Sequence, residues 1–193
     1  MCIRDSYGSG AAGMTNMLRT FGKKAAALTA FGDVLKGALA VCIGRWLFGY
    51  LPADGAVSPY LGVYLAAILA TIGHLKPLYF GFKGGKGVAT LVGAVLGIHP
   101  ITVLLCFGIW FIVLMITHYV SLSSMIAGCC FPIFVLLSPK INHSVPLVVF
   151  SFVIAALLIW THRKNIDRLK KGTESKIYIW RPVASRRRND PDK

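Results

Sequence analysis

Long apolar runs, broken by short polar connections, set the pattern of this chain. Six such runs fall at roughly 26–51, 58–73, 88–99, 100–117, 119–138 and 145–161. A helix needs ~20 apolar residues to cross a ~30 Å hydrocarbon core, so each run reads as a candidate membrane span. The third is short: at 1.5 Å per residue it rises only ~18 Å. It reads as a half-helix that starts at a glycine-rich loop and leans on its neighbours.

The connections carry a second pattern. Segments 8–25, 73–87 and 162–193 hold Arg19, Lys23, Lys24, Lys76, Lys83, Lys86, Arg163, Lys164, Arg168, Lys170, Lys171 and Lys176 among others. Segments 52–58, 98–100 and 138–145 hold one basic residue, Lys140. Strict alternation through six spans puts the basic segments on one side, and an excess of Lys and Arg marks the cytoplasmic side. The expected fold class is therefore all-α: a polytopic integral membrane helix bundle with about six transmembrane spans.

Composition agrees. Apolar types make up 55% of the 193 residues and charged types 15%, against about 25% charged in a soluble domain. The 21 Lys+Arg outnumber the 7 Asp+Glu and give a net charge of +14. Because the basic residues fall between apolar spans, cytoplasmic loops explain that charge better than nucleic-acid binding does. The cysteines Cys2, Cys42, Cys106, Cys129 and Cys130 form no metal-ligand spacing and read as small apolar packing residues. Residues 1–7 fit nothing that follows and are read as a non-native scar. Residues 8–176 read as one membrane-embedded domain and 177–193 as a basic polar tail, solvated or touching lipid.

Five polar constellations remain. The first is Gly81-Phe82-Lys83-Gly84-Gly85-Lys86-Gly87, preceded by Gly73-His74-Leu75-Lys76-Pro77. Glycines let backbone N–H groups turn inward, and two ammonium groups beside them suit a phosphate. A loop feeding a helix N-terminus adds the helix dipole. It is not a nucleotide-binding Walker A loop, because Gly87 stands where Ser or Thr is needed after Lys86. The plain alternative is a basic interfacial turn. The second is Gly8-Ser9-Gly10-Ala11-Ala12-Gly13-Met14-Thr15-Asn16, followed by Arg19. Its hydroxyls and the planar Arg fork suit phosphate oxygens; on composition alone a flexible loop with a helix cap and a positive-inside arginine is the favoured reading. The third is Asp33 and Lys36, one turn apart on one face of the first span. Such a pair either faces a wet site or merely neutralises itself. The fourth is Thr117-His118-Tyr119-Val120-Ser121-Leu122-Ser123-Ser124, whose hydroxyls either cap a helix or line a pocket. The fifth is His162-Arg163-Lys164-Asn165-Ile166-Asp167-Arg168-Leu169, then Gly172-Thr173-Glu174-Ser175-Lys176. His162 and Asp167 also match the His-x-x-x-x-Asp spacing of acyl-CoA-type glycerolipid acyltransferases, a weak signal because positions i and i+5 do not share a helix face.

Taken in order, these segments resemble the bacterial acyl-phosphate:glycerol-3-phosphate acyltransferases, the PlsY family. That family carries a Gly-Ser-Gly-Asn segment ending in Arg, a Gly-Asp-x-x-Lys-Gly, a Phe-Lys-Gly-Gly-Lys-Gly-Val-Ala-Thr, a Tyr-Val-Ser-Leu-Ser-Ser and a His-Arg-x-Asn-Ile with a later Gly-Thr-Glu. Ala11, Lys76 and His118 depart from it, standing where the family has Asn, usually an aromatic residue, and Arg. The family has one more span ahead of the Gly-Ser-Gly segment, so the resemblance implies an N-terminal truncation. It further implies transfer of a fatty acyl group from acyl phosphate to the sn-1 hydroxyl of glycerol 3-phosphate, giving lysophosphatidic acid and phosphate. The implied catalytic residues are Ser9, Arg19, Lys86, His162 and Asn165. The implied binding residues are Gly8, Gly10, Thr15, Asn16, Asp33, Lys36, His74, Lys83, Gly84, Gly85, Gly87, Ser121 and Ser123. The partners are then glycerol 3-phosphate, acyl phosphate and the bilayer of a bacterial inner membrane, with the site facing the cytoplasm. No metal, nucleotide, CoA or other cofactor is expected. An acyl-CoA-dependent acyltransferase and an organic-phosphate transporter are the competing readings; the transporter predicts charged or broken segments at the bilayer midplane.

Overall fold

A computed structural model describes residues 13–49, 59–138 and 145–178, and these are helical with no strand among them. The helices are α1 (Met14–Thr20), α2 (Lys23–Gly49), α3 (Pro59–Leu75), α4 (Val88–Ile98), α5 (Pro100–Thr117), α6 (Val120–Leu137), α7 (Val145–Thr161) and α8 (Arg163–Lys170). The six apolar runs each became a helix with ends within three residues of those expected. Two further helices, α1 and α8, occupy polar stretches that carry no apolar signal. The segment ahead of the first span is thus helical from Met14, where a loop was one expectation.

The chain is a multi-pass membrane helix bundle. Helices α2, α5 and α6 are each long and apolar enough to cross a membrane, α7 and α8 make a fourth candidate bent by 55°, and α3 and α4 are shorter apolar helices. Large apolar side chains cover the outside: Leu28, Phe31, Leu39 and Trp46 of α2 and Leu104 of α5 are all exposed. In water that surface would be a liability; against lipid tails it is the required solvent-facing coat.

With no hydrophobic drive between helices in lipid, close packing holds them together. Helix α2 packs on both α3 and α4, and α6 packs between α5 and α7. Where α2 crosses α4 the two backbones touch. A Cβ on Gly37 would overlap the Thr90 carbonyl, and one on Gly93 would overlap the Val34 carbonyl. Only glycine permits this approach from both sides. The interior joins Val41, Val63, Ala67, Ala94, Ile154 and Leu158. Phe150 stacks on Tyr64 at 5.0 Å and meets Phe131 edge-on at 6.4 Å.

Chain ends of the helices are set locally. Pro100 opens α5, and the His99 ring accepts the Thr102 N–H, filling one of the orphan donors of the first turn. The chain reverses after α5 at His118, whose backbone is left-handed, φ 61°. Beyond α8 the chain stays attached to the body: the Ile177 N–H donates to the His118 carbonyl at 2.8 Å, and Ile177 is buried. Of the expected basic tail, residues 179–193 lie outside the described residues, as do the scar at 1–7 and Lys140.

Candidate active site

The glycine-rich connection between α3 and α4 is folded back on the end of α3. After Pro77 a single tight turn, Leu78–Phe80, leads into Gly81 and Phe82, both left-handed. The Gly85 N–H then donates to the His74 carbonyl at 3.2 Å. A Cβ on Gly84 would overlap that same carbonyl, so the loop lies flat against α3. Gly87, φ 79°, turns the chain into α4. Lys83 projects into solvent, while Lys86 and Gly87 line a cavity.

A second piece comes from the junction of α7 and α8. The chain bends at His162, which is 1% exposed and sits at the break between α7 and α8. Its Nδ1 sits 2.8 Å from the Leu158 carbonyl, an acceptor only, so Nδ1 carries a proton.

Glu174 ties this junction to α6. Its Oε1 accepts from Ser121 Oγ and Asn165 Nδ2, and its Oε2 accepts from Arg168 Nε, each at 2.7 Å. Burial alone would raise the carboxyl's pKa. The hydrogen bonds from Arg168, Ser121 and Asn165 outweigh it, and the pKa is lowered from 4.5. The group stays ionised.

On α2, Asp33 and Lys36 do face each other, and both reach α3. Lys36 Nζ lies 2.5 Å from Asp33 Oδ1 and 2.6 Å from His74 Nδ1, with His74 Nδ1 3.4 Å from Asp33 Oδ1.

These pieces surround one cavity of about 440 Å³. Thr15, Asn16, Asp33, His74, Lys86, Ser121, His162, Asn165, Arg168 and Glu174 line its polar end. Its other end is apolar, walled by Val92 and Val95 of α4, Val103, Phe107 and Trp110 of α5, Ala127 and Phe131 of α6, and Ile154 and Leu158 of α7. The arrangement offers fixed donors and a cation at one end and a greasy slot at the other.

The cavity therefore gathers Thr15, Asn16, Asp33, His74, Lys86, Gly87, Ser121, His162 and Asn165 from the expected site. Lys36, Lys83, Gly84, Gly85 and Ser123 are not among its lining residues. Gly84 and Gly85 form the loop behind it, and buried Ser123 returns its hydroxyl to the Tyr119 carbonyl at 2.8 Å as a helix back-bond. Gly8, Ser9 and Gly10, with the departure Ala11, lie outside the described residues; Arg19 is in α1, and its side chain lies outside them too. Asp167 is exposed and does not line the cavity, so the His-x-x-x-x-Asp spacing corresponds to no shared site. Among the described residues no cluster of three or more His, Cys, Asp or Glu is placed to hold a metal ion.

Sequence reasoning placed Glu174 and Arg168 in the fifth constellation but gave neither a role in the site. A signal existed: Glu174 is one of only 7 acidic residues in a chain of net charge +14, set in a basic stretch. The apolar wall carried no signal, since Phe107 or Trp110 looks like any other residue of a membrane helix.

A family model described as "Glycerol-3-phosphate acyltransferase" matches residues 3–172, beginning inside the segment read as foreign. A glycerol-3-phosphate acyltransferase of Clostridioides difficile (strain 630) is 45% identical over 172 residues, covering 89% of this chain and 80% of the relative. One of Coxiella burnetii (strain CbuG_Q212) is 39% identical, covering 89% and 82%. The crystal structure of PlsY (YgiH), an integral membrane glycerol 3-phosphate acyltransferase, in its glycerol 3-phosphate form, superposes with a TM-score of 0.79 at 34% identity, covering 92% of this chain and 83% of that one. The lysophosphatidic acid form of the same protein gives 0.76 at 35% identity, covering 89% and 82%.

Proposed function

The chain belongs to the glycerol-3-phosphate acyltransferase family, and from that premise we propose that it acylates glycerol 3-phosphate, with acyl phosphate as donor. The observation that carries this reading is the two-ended cavity. A single chamber that is cationic and hydrogen-bonding at one end and apolar at the other fits a small anionic acceptor meeting a fatty acyl chain.

The reaction needs little covalent help. The sn-1 hydroxyl attacks the acyl carbon, the carbon–oxygen bond to phosphate breaks, and the hydroxyl proton leaves with the departing phosphate. Lysophosphatidic acid and inorganic phosphate result. Because phosphate is a good leaving group, no acyl-enzyme intermediate is required. Lys86 serves as the cation that offsets charge building on the phosphate. His162, with Nδ1 held by the Leu158 carbonyl, offers Nε2 as the acceptor for the substrate hydroxyl and orients it. Asn165, held by Glu174, and Asn16 and Thr15 of α1 supply neutral polar contacts. Ser9 and Arg19 are assigned to the same phosphate on the resemblance alone. The basic connections at this end of the helices support a site on the cytoplasmic face of a bacterial inner membrane.

Membranes carrying the chain, given labelled glycerol 3-phosphate with either acyl phosphate or acyl-CoA, test the reading. Turnover is expected with acyl phosphate alone. Turnover with acyl-CoA would move the chemistry to a thioester donor, which exposed Asp167 does nothing to favour. Counter-flow of glycerol 3-phosphate without acylation would make it a transporter. Cysteine labelling that put Lys86 and Asn165 on opposite faces of the bilayer would remove the shared site.

A further inference from the structure

Lys36 does not line the cavity, yet its ammonium touches two residues that do. A protonated lysine has three donors and no acceptor. Its 2.6 Å approach to His74 Nδ1 therefore requires that nitrogen to accept, which puts the ring proton on Nε2. Asp33 Oδ1 accepts from the same ammonium at 2.5 Å, while its own distance to His74 Nδ1 is a looser 3.4 Å. The His74 side chain is 7% exposed, and with Nδ1 occupied its remaining polar atom is Nε2. The same residue's carbonyl holds Gly85 of the glycine loop, with Gly84 packed flat beneath.

We infer that Lys36, backed by Asp33, is a positioning residue that fixes His74 as an Nε2–H donor toward the anionic acceptor at the polar end of the cavity. This rests on the acceptor reading above and deepens it. Two groups compete for Nδ1, the Lys36 ammonium and the Asp33 carboxylate. With Lys36 present, the ammonium takes the Nδ1 lone pair. Without it, the Asp33 carboxylate is the charged partner that remains beside Nδ1 among the described residues. The proton then moves to Nδ1 to meet it, and Nε2 turns from donor to acceptor facing a phosphate. A lone pair against an anion is repulsive where a donor was attractive. Lys36 thus acts at a distance from the substrate through the tautomer of one ring. A surface lysine that only paired with Asp33 would have no such effect.

The test uses the purified chain in detergent and equilibrium binding of glycerol 3-phosphate, which needs no acyl donor. Lys36→Met is expected to weaken binding about tenfold, the scale of one charge-assisted hydrogen bond. His74→Leu should weaken it similarly. Lys36→Met in the His74→Leu background should add little, because both act through one bond. His74→Gln, which keeps an N–H donor near the Nε2 position, should restore most of the affinity and be indifferent to Lys36→Met. Nitrogen NMR of labelled histidine should show the His74 proton on Nε2 in the parent and on Nδ1 in Lys36→Met. Additive losses in the double variant, or an unchanged tautomer, overturn the inference while leaving the acceptor reading standing. No binding by the parent chain overturns the acceptor reading, and this inference with it. If Lys36→Met fails to fold, Lys36→Arg, which keeps a cationic donor to Nδ1, should retain the Nε2–H tautomer; a shift to Nδ1 there contradicts the mechanism.

Discussion

At the polar end of the cavity, side chains from separate parts of the chain hold one another. Ser121, Asn165 and Arg168 converge on Glu174, and Asp33, Lys36 and His74 form a second knot on the facing helices. At the apolar end, Val95, Val103, Ala127, Phe131 and Ile154 meet only by shape. The first kind of construction is directional: each bond has a partner, and losing one strands the other. The second is tolerant, because any apolar side chain of similar volume fills the same space. A site so divided can fix a charged group within tenths of an ångström while leaving a flexible chain room to vary. Substitutions at the two ends should therefore differ in kind and in size.

The largest expected effect is at the cation. Lys86→Ala should lower kcat/KM for glycerol 3-phosphate acylation by about 100-fold or more if Lys86 offsets charge in the transition state. Near-parent turnover would take Lys86 out of the site. An equal loss from filling the apolar arm would erase the contrast between the ends.

Next comes Glu174. Removing its side chain leaves Asn165, 2% exposed, and Ser121, 4% exposed, without their acceptor. A buried polar group left unpaired costs about 1–3 kcal/mol, so Glu174→Ala should lower Tm in detergent and impair turnover together. Glu174→Gln should do less, keeping one acceptor oxygen. The pH dependence has a definite sign. A carboxyl whose folded pKa is lowered from 4.5 stabilises the fold above that value and loses its contribution as pH falls through the folded pKa. The Tm gap between parent and Glu174→Gln should accordingly narrow as pH falls below 4.5 and through the lowered folded pKa. A gap that stayed constant on acidification would mean that the charge is not what matters.

The α2–α4 crossing offers a smaller effect that links the ends. Gly93→Ala places a methyl against the Val34 carbonyl, and backbone cannot rotate away. Overpacking of this sort costs about 1–3 kcal/mol. Because Val34 neighbours Asp33 and α4 carries on from Lys86, the shift should raise KM for glycerol 3-phosphate as well as lower Tm. A Tm change with unaltered KM would show that the crossing merely holds the bundle.

How much of this was legible beforehand follows the same division. The six apolar runs predicted their helices because lipid demands an all-round apolar surface, and 100–117 and 145–161 were placed to the residue. The glycine-rich loop and the His162–Asn165 pair were visible because polar groups among apolar spans are conspicuous. Helices α1 and α8 were not: seven and eight residues are too few for a period to stand out, although Ile166 and Leu169, three apart on α8, pack against the core. Lys36 was expected to bind substrate; its partner His74, 38 positions away, depends on how α2 and α3 pack. Ser123 and Ser121 sit two apart in one helix and serve different ends, one bonded back to Tyr119 and one forward to Glu174. No local pattern separates them. The apolar arm was invisible altogether, because in a membrane protein the lining of a cavity and the coat facing lipid are written in the same residues.

That last point yields the mildest prediction. Ala127 on α6 is buried and lines the apolar arm together with Trp110 and Phe131. Ala127→Leu adds methylenes where an acyl tail would run, without touching any hydrogen bond at the polar end. Hydrophobic pockets discriminate chain length weakly, by roughly tenfold per methylene at the low end of their range. The variant should thus shift preference about tenfold toward shorter acyl phosphates, with KM for glycerol 3-phosphate unchanged. Competition between acyl phosphates of two lengths in one reaction reads that ratio directly. An unchanged ratio would place the acyl chain elsewhere. A raised KM for glycerol 3-phosphate would mean that the arm and the polar end are mechanically one unit, since a methyl on α6 would then be felt at Ser121 two turns away on the same helix.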